Sequence, residues 1–134
     1  MSKTIQELKT NFETSSFFTH LGFEIVRCDE EEIILKLPIQ EHLINTNQTV
    51  HGGVYATMLD NIISMVVRSA VKAPIVTVSL NIHYLAPAKE GYLLAKAKVL
   101  QQGYRIVAGE GEIYDQDNRL LAKGNGTFKV NRPK

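Results

Sequence analysis

One run, VYATMLDNIISMVVRSAV at residues 54–71, narrows the possible folds more than anything else in the chain. Twelve of its eighteen residues are apolar, and the pattern predicts a helix with apolar side chains on most of its sides. If it begins near Gly52, it is roughly 30 Å long at 1.5 Å per residue. Lys72, Ala73 and Pro74 end it, because a proline disfavours helical geometry at the residue before it. Such a helix must be covered on most sides. Whatever the rest of the chain folds into has to supply that cover.

The segments after the helix are all strand-like. In IVTVSLNIHYL, Val76, Val78, Leu80, Ile82 and Tyr84 fall on one face, and Thr77, Ser79, Asn81 and His83 on the other. A turn at Pro87 to Gly91 leads to YLLAKAKVLQ, with Lys96 and Lys98 on its wet face. Gln102-Gly103 turns the chain into YRIVAGEGEIY, and the polar DQDN turns it into RLLAKGNGTFKV. The glycines inside these last two segments read as bends and bulges of a strongly curved sheet. Before the long helix, residues 3 to about 19 predict a short helix with Ile5, Leu8, Phe12 and Phe17 on one face. GFEIVRCDEEEIILKLP then reads as two strands around an acidic turn at Asp29 to Glu31, and Pro38 with QEHLINTNQT as a loop. About six strands and one long helix give a two-layer α+β arrangement. A curved antiparallel sheet wrapping the helix, helped by a partner subunit, would meet the need for cover.

The length, 134 residues, suits one domain spanning 1–134, with no repeat or linker to divide it. A formal net charge of +1 gives no electrostatic case for nucleic acid or for an anionic membrane surface. No apolar run is expected to reach the length of a membrane span, and the polar N-terminus lacks a signal-peptide core, so a cytoplasmic location is expected. Cys28 stands alone among acidic neighbours, which argues for an inert thiol. His20, His42 and His83 have no partner at metal-ligand spacing, so no metal is expected. No G-x-S-x-G elbow is present.

The helix carries a narrow polar stripe. Thr57, Asp60 with Asn61, Ser64 and Arg68 recur at steps of three to four. A solvated face is one reading. The thinness of the stripe and its small residues favour the floor of a cleft or an interface. Just ahead of the helix, His51-Gly52-Gly53 leaves the first turn's N–H groups without side-chain cover. That suits a phosphate, or a carbonyl oxygen that becomes negative during attack. A tight turn or close packing would explain the same glycines. Asp60 lies roughly 12 Å or more along the axis from the helix start. It could instead serve the N-terminus of a neighbouring subunit's helix, if the two run antiparallel about a two-fold axis.

Through NTNQTVHGGVYATMLDN, which holds Asn45, His51, Gly52, Gly53 and Asp60, and through VSLNIHYLAPAKEG, the chain resembles the hotdog-fold acyl-CoA thioesterases. The likeness is to the PaaI-like branch of the 4-hydroxybenzoyl-CoA thioesterase group, and it extends over nearly the whole chain. It implies a hotdog fold, a homodimer whose sheets join, a further pairing into a homotetramer, and an active site between subunits. It implies hydrolysis of an acyl-CoA thioester without a cofactor, since CoA is part of the substrate. Asp60 would be the nucleophile or the general base. The Gly52 N–H of the other subunit would polarise the carbonyl. Asn45 would position the carbonyl or the water, His51 would orient the loop and support Asn45, and Ser64 would hold the water or the acyl group. Gly53 and Thr77 would line the pocket. The CoA moiety would run past Tyr84, Pro87 and Lys89 and past Gln102, Gly103 and Arg105, with Lys89 and Arg105 near its phosphates.

Some relatives carry Glu where this chain has Asp60 and Gln where it has Asn45, so their aryl substrates do not transfer. Val54, Tyr55, Met58, Phe17 and Phe18 could line an acyl pocket or simply fill the core. Two competing functions share the scaffold. A hotdog hydratase or dehydratase would carry Asp-x4-His or His-Phe-Pro, and neither pattern occurs here. A non-catalytic acyl-CoA binder or sensor would not need Asp60.

Overall fold

The element that needed covering is α3, Gly52–Val71, and a six-stranded antiparallel sheet covers it. A computed structural model describes residues 3–132. In chain order the other elements are α1 (Lys3–Thr14), α2 (Ser16–Leu21), β1 (Glu24–Cys28), β2 (Ile33–Pro38), β3 (Ile75–Tyr84), β4 (Tyr92–Gln102), β5 (Ile106–Asp115) and β6 (Leu120–Val130). A short 3-10 turn, Glu41–Leu43, interrupts the loop before α3. The strand order is β1-β2-β4-β5-β6-β3, which leaves β1 and β3 at the edges. The sheet curves around α3, whose Met58, Leu59, Ile62, Ile63 and Val67 lose all accessible surface. Ile5, Leu8 and Phe12 of α1 join the same core.

By length and composition alone α3 could cross a membrane, contrary to the expectation that no run is long enough. Asp60 and Arg68 interrupt its apolar runs without lowering its average below that of a span. In the fold its apolar sides are used up against the sheet and α1.

Of the glycines of β5 and β6, only Gly109 flanks a bulge, opposite the extra residue of β4. The irregularities fall at Ile25/Arg27, Thr77/Ser79, Val99/Gln101 and Ile113/Tyr114. Gly109 pairs with Gly126 and Gly111 with Gly124, so four glycines form one patch on the inner face. A Cβ on Gly109 would stand 2.6 Å from Ile63 Cγ2, and one on Gly111 would stand 2.9 Å from Ile63 Cγ1. The patch therefore exists so that α3 can lie closer to the sheet than any side chain would allow.

The predicted facing of β3 changes for a related reason. Val78 is an extra residue between the pairs Thr77↔Phe128 and Ser79↔Thr127. Such a bulge switches the side on which following residues point. Thr77 therefore shares the inner face with Leu80, Ile82 and Tyr84, while Val76 and Val78 point outward and are 50% and 61% exposed.

The N-terminal helix also differs from expectation. Extended backbone at Ser15 splits it into α1 and α2. Phe17 is thereby turned to solvent, and Phe18 takes its place, stacked on Phe12 with ring centroids 4.4 Å apart.

Candidate active site

The loop before α3 is built by its own side chains. Asn45 Oδ1 accepts from the Asn47 N–H at 2.9 Å, the Thr49 N–H at 3.2 Å and the Thr49 hydroxyl at 3.3 Å. Its carbonyl end is thus occupied locally, and the amide Nδ2 is the end left to meet a substrate. His51 is the N-cap of α3: its Nδ1 accepts from the Gly53 N–H at 2.9 Å. Its backbone N–H donates to Leu43 O at 2.9 Å. So His51 fixes the entry into the helix, and its imidazole supports Gly53 rather than Asn45.

With the Gly53 N–H capped, Gly52 supplies the next orphan donor of the first turn. Both glycines also satisfy close packing. A Cβ on Gly52 would come within 3.3 Å of the Tyr84 ring, and one on Gly53 within 3.2 Å of the His51 imidazole. The Tyr84 hydroxyl donates to Gly52 O at 3.2 Å, and its ring stacks on Tyr55 at 6.1 Å. Tyr84 thereby ties the end of β3 to the start of α3. Tyr55 and Met58 belong to the buried core, whereas Val54 is half-buried.

Asp60 is half-buried, and the Thr77 hydroxyl donates to its Oδ1 at 2.8 Å. Only the bulge at Val78 brings Thr77 to the helix side, so this bond could not be read from the alternation pattern. The other carboxylate oxygen remains available as base or nucleophile. The stripe is no solvated face, because Thr57, Asp60, Asn61, Ser64 and Arg68 are all half-buried. Thr57 turns back to bond Gly53 O at 2.9 Å.

The lower stripe lines a cleft of about 210 Å³ between α1–α2 and α3. Asn61, Ser64, Met65 and Arg68 of α3 form one wall with Asn11 nearby, and Phe12 and Phe18 face them, with Ile75 of β3 at the side. Asn61 Nδ2 is shut off from solvent and has no partner among the described residues. A buried donor in that state costs about 1–3 kcal/mol. Sequence reasoning identified the stripe and offered Phe18 as a pocket residue, but not that α1 and α2 together deliver the opposite wall from the far end of the chain.

The two groups expected to hold CoA lie at opposite ends of the sheet. Tyr84, Pro87 and Lys89 sit by the start of α3 and β4. Gln102, Gly103 and Arg105 form the β4–β5 turn, where the Gly103 N–H donates to Ile106 O at 3.0 Å. Ten residue steps lead along β4 from Tyr92 to Gln102, or about 33 Å, so one chain does not bring the groups together. Beside Lys89 the fold adds a cation that the sequence did not suggest. Arg119 Nη2 donates to Pro87 O at 2.9 Å, and the two residues share a hollow with Asp115.

Cys28 is buried, and that burial, more than its acidic neighbours Asp29, Glu13 and Glu30, pushes its thiol pKa up against the opposing pull of Lys9. It plays no part in the arrangement around Asp60.

Comparison with known proteins gives the same picture as the fold. A family model described as "Thioesterase superfamily" matches residues 47–122. Acyl-coenzyme A thioesterase 13 of Homo sapiens is 30% identical over 132 residues, covering 95% of this chain and 94% of that protein. The E. coli PaaI structure superposes with a TM-score of 0.89 at 22% identity, covering 98% of this chain and 96% of its own. Thioesterase HI1161 of Haemophilus influenzae gives 0.87 at 23% identity, covering 98% and 93%. At those identities the two structures speak for the hotdog fold alone.

Proposed function

We propose, for a chain that belongs to the thioesterase superfamily, that it hydrolyses acyl-CoA thioesters at a site shared by two subunits, with Asp60 as the catalytic carboxylate. The chain is a thioesterase. What supports the shared site is the way β3 carries both halves of it. Asp60 is tied to Thr77 and Gly52 is tied to Tyr84, seven residues further along the same edge strand. Gly52 and Asp60 themselves lie eight residues apart on α3, about 12 Å along its axis, too far for one carbonyl group to touch both in a single chain.

β3 has no partner on its outer edge among the described strands, and an open edge is a template for pairing. Antiparallel pairing of β3 with a second copy, about a two-fold axis near Leu80 and Asn81, sets Thr77 and Asp60 of one subunit beside Tyr84 and Gly52 of the other. The same operation carries the Lys89–Arg119 end of one subunit toward the Arg105 end of its partner. The outward Val76, Val78 and Ile106 offer an apolar surface on which two such dimers would pair.

In this site the thioester carbonyl oxygen accepts from the Gly52 N–H, and the charge it gains in the tetrahedral state is met by the start of α3. Asp60, oriented by Thr77, attacks the carbonyl carbon itself or removes a proton from the attacking water. The C–S bond breaks, the sulfur takes the proton drawn from water, and CoA leaves as its thiol; where Asp60 has attacked directly, water then hydrolyses the mixed anhydride to free acid and restores the carboxylate. The Asn45 amide and the Ser64 hydroxyl supply positioning contacts to the carbonyl and the acyl group.

The test is thiol release from a panel of short, medium, long and aryl acyl-CoA esters, comparing wild type with Asp60→Asn. Turnover on some esters that falls by about three orders of magnitude or more in the variant is expected. Equal binding of esters by both proteins without turnover by either would leave a binding protein instead.

A further inference from the structure

We propose that the cleft between α1–α2 and α3 receives the far end of the acyl group, and that Arg68 selects acyl groups ending in a carboxylate. This deepens, and rests on, the reading of Asp60 as the catalytic carboxylate. The cleft begins one residue past Asp60, at Asn61, and continues along the stripe to Ser64 and Arg68. On β3 its wall is Ile75, two residues before the Thr77 that holds Asp60. An acyl group whose carbonyl lies at Asp60 therefore has this cleft directly ahead of it.

The chemistry of the lining is lopsided. Asn61 presents a buried amide donor with no partner among the described residues. Ser64 and Arg68 also lack side-chain hydrogen bonds and ion pairs among the described residues. Among the described residues, no carboxylate lines the cleft. An unpaired guanidinium calls for an anionic acceptor from the ligand, because an apolar tail would cover it and leave it unsatisfied. The opposite wall of Phe12 and Phe18, with Met65 beside Arg68 on α3, is apolar and strengthens whatever bond forms there. A planar guanidinium pairs best with a planar carboxylate, through two parallel N–H···O bonds.

Geometry sets the length of the ligand. Arg68 lies about 12 Å along the axis from Asp60, and helical side chains lean toward the N-terminus, so its guanidinium hangs over the Ser64 turn. One to two helical turns then separate the reacting carbon from the distal charge. A cleft of about 210 Å³ has room for a short dicarboxylic acyl group.

The experiment compares kcat/KM for glutaryl-CoA and pentanoyl-CoA, which have equal carbon counts and differ in the distal carboxylate. Both are measured on one preparation, so the ratio does not depend on how much protein is folded. Wild type should prefer the glutaryl ester by about tenfold or more, and Arg68→Leu should abolish or reverse that preference. Cleavage of both esters with a ratio near unity, or a ratio unchanged in Arg68→Leu, would overturn the role of Arg68 while leaving the thioesterase mechanism intact. Failure of the underlying reading looks different: thiol release that survives Asp60→Asn removes both.

Discussion

Placing a single methyl group under α3 tests whether the glycine patch is what lets the helix carry Asp60 at its present depth. In Gly109→Ala the new Cβ would stand 2.6 Å from Ile63 Cγ2 and 3.3 Å from Val67 Cγ2. Favourable carbon contacts lie near 3.5–4.0 Å, so the helix or the strand must give by about 1 Å. Ile63 and Val67 are fully buried and have no open space to turn into. Overpacking of this kind costs about 1–3 kcal/mol, and replacing a strand glycine with alanine returns about 0.5–1 kcal/mol. The net loss should be about 1–2 kcal/mol, or roughly 4–7 °C in Tm for a chain of this length. Ile63→Ala alone should lose about 2–5 kcal/mol through the cavity it leaves. In the double variant the methyl group added at position 109 enters that cavity, so the two losses should fall short of additive by about 1 kcal/mol. Urea unfolding of the four proteins at one fixed protein concentration measures the cycle. Strict additivity, or a Gly109→Ala variant as stable as wild type, would refute the idea that contact with Ile63 selects glycine here.

Mixing two inactive variants tests the shared site. Gly52→Pro deletes the N–H at the first helical position, where proline is tolerated, and the extended His51 backbone already suits it. Co-refolded with Asp60→Asn it should recover about a quarter of wild-type turnover, since half the dimers are mixed and each has one intact site; no recovery would place both groups in one subunit. Thr77→Val should lower kcat/KM by about 10–100-fold, with Thr77→Ser restoring most of it, because a bond to a charged group is worth about 1.5–3 kcal/mol; an unaltered Thr77→Val would remove Thr77 from the mechanism. Burial pushes the Tyr55 hydroxyl from 10.0 up to about 12, with Asp115 adding to the rise and Arg119 opposing it. A raised folded-state value stabilises fully below pH 10 and is lost as pH climbs toward 12, about 2–3 kcal/mol in all. Tyr55→Phe should therefore flatten the fall in urea midpoint across that window, and parallel curves for the two proteins would contradict the assignment.

Apolar periodicity alone located α3 to within two residues at its start, because a long run with polar residues only at helical spacing fits no other regular form. Alternation located the strands, and the turn residues separated them. The stripe and the His51-Gly52-Gly53 entrance were legible for the same reason: residues three or four apart on a helix share a face whatever surrounds it. The role of Ser15 in splitting the first helix was not legible, since a serine breaks a helix only when packing favours the extended form. Phe12 and Phe23 decide that, by drawing Phe18 inward in place of Phe17.

So the chain by itself determined its class, its central helix and the residue types at the helix entrance and along the stripe, all of which depend on neighbours in sequence. Tertiary structure decided everything that depends on neighbours in space. The bulge at Val78 set Thr77 against Asp60, the paired glycines set the depth of the helix, and α1 with α2 closed the wall opposite Asn61 and Arg68. The physical reason is that a one-residue slip in a strand inverts every side chain after it. Only pairing with β6 fixes where that slip falls.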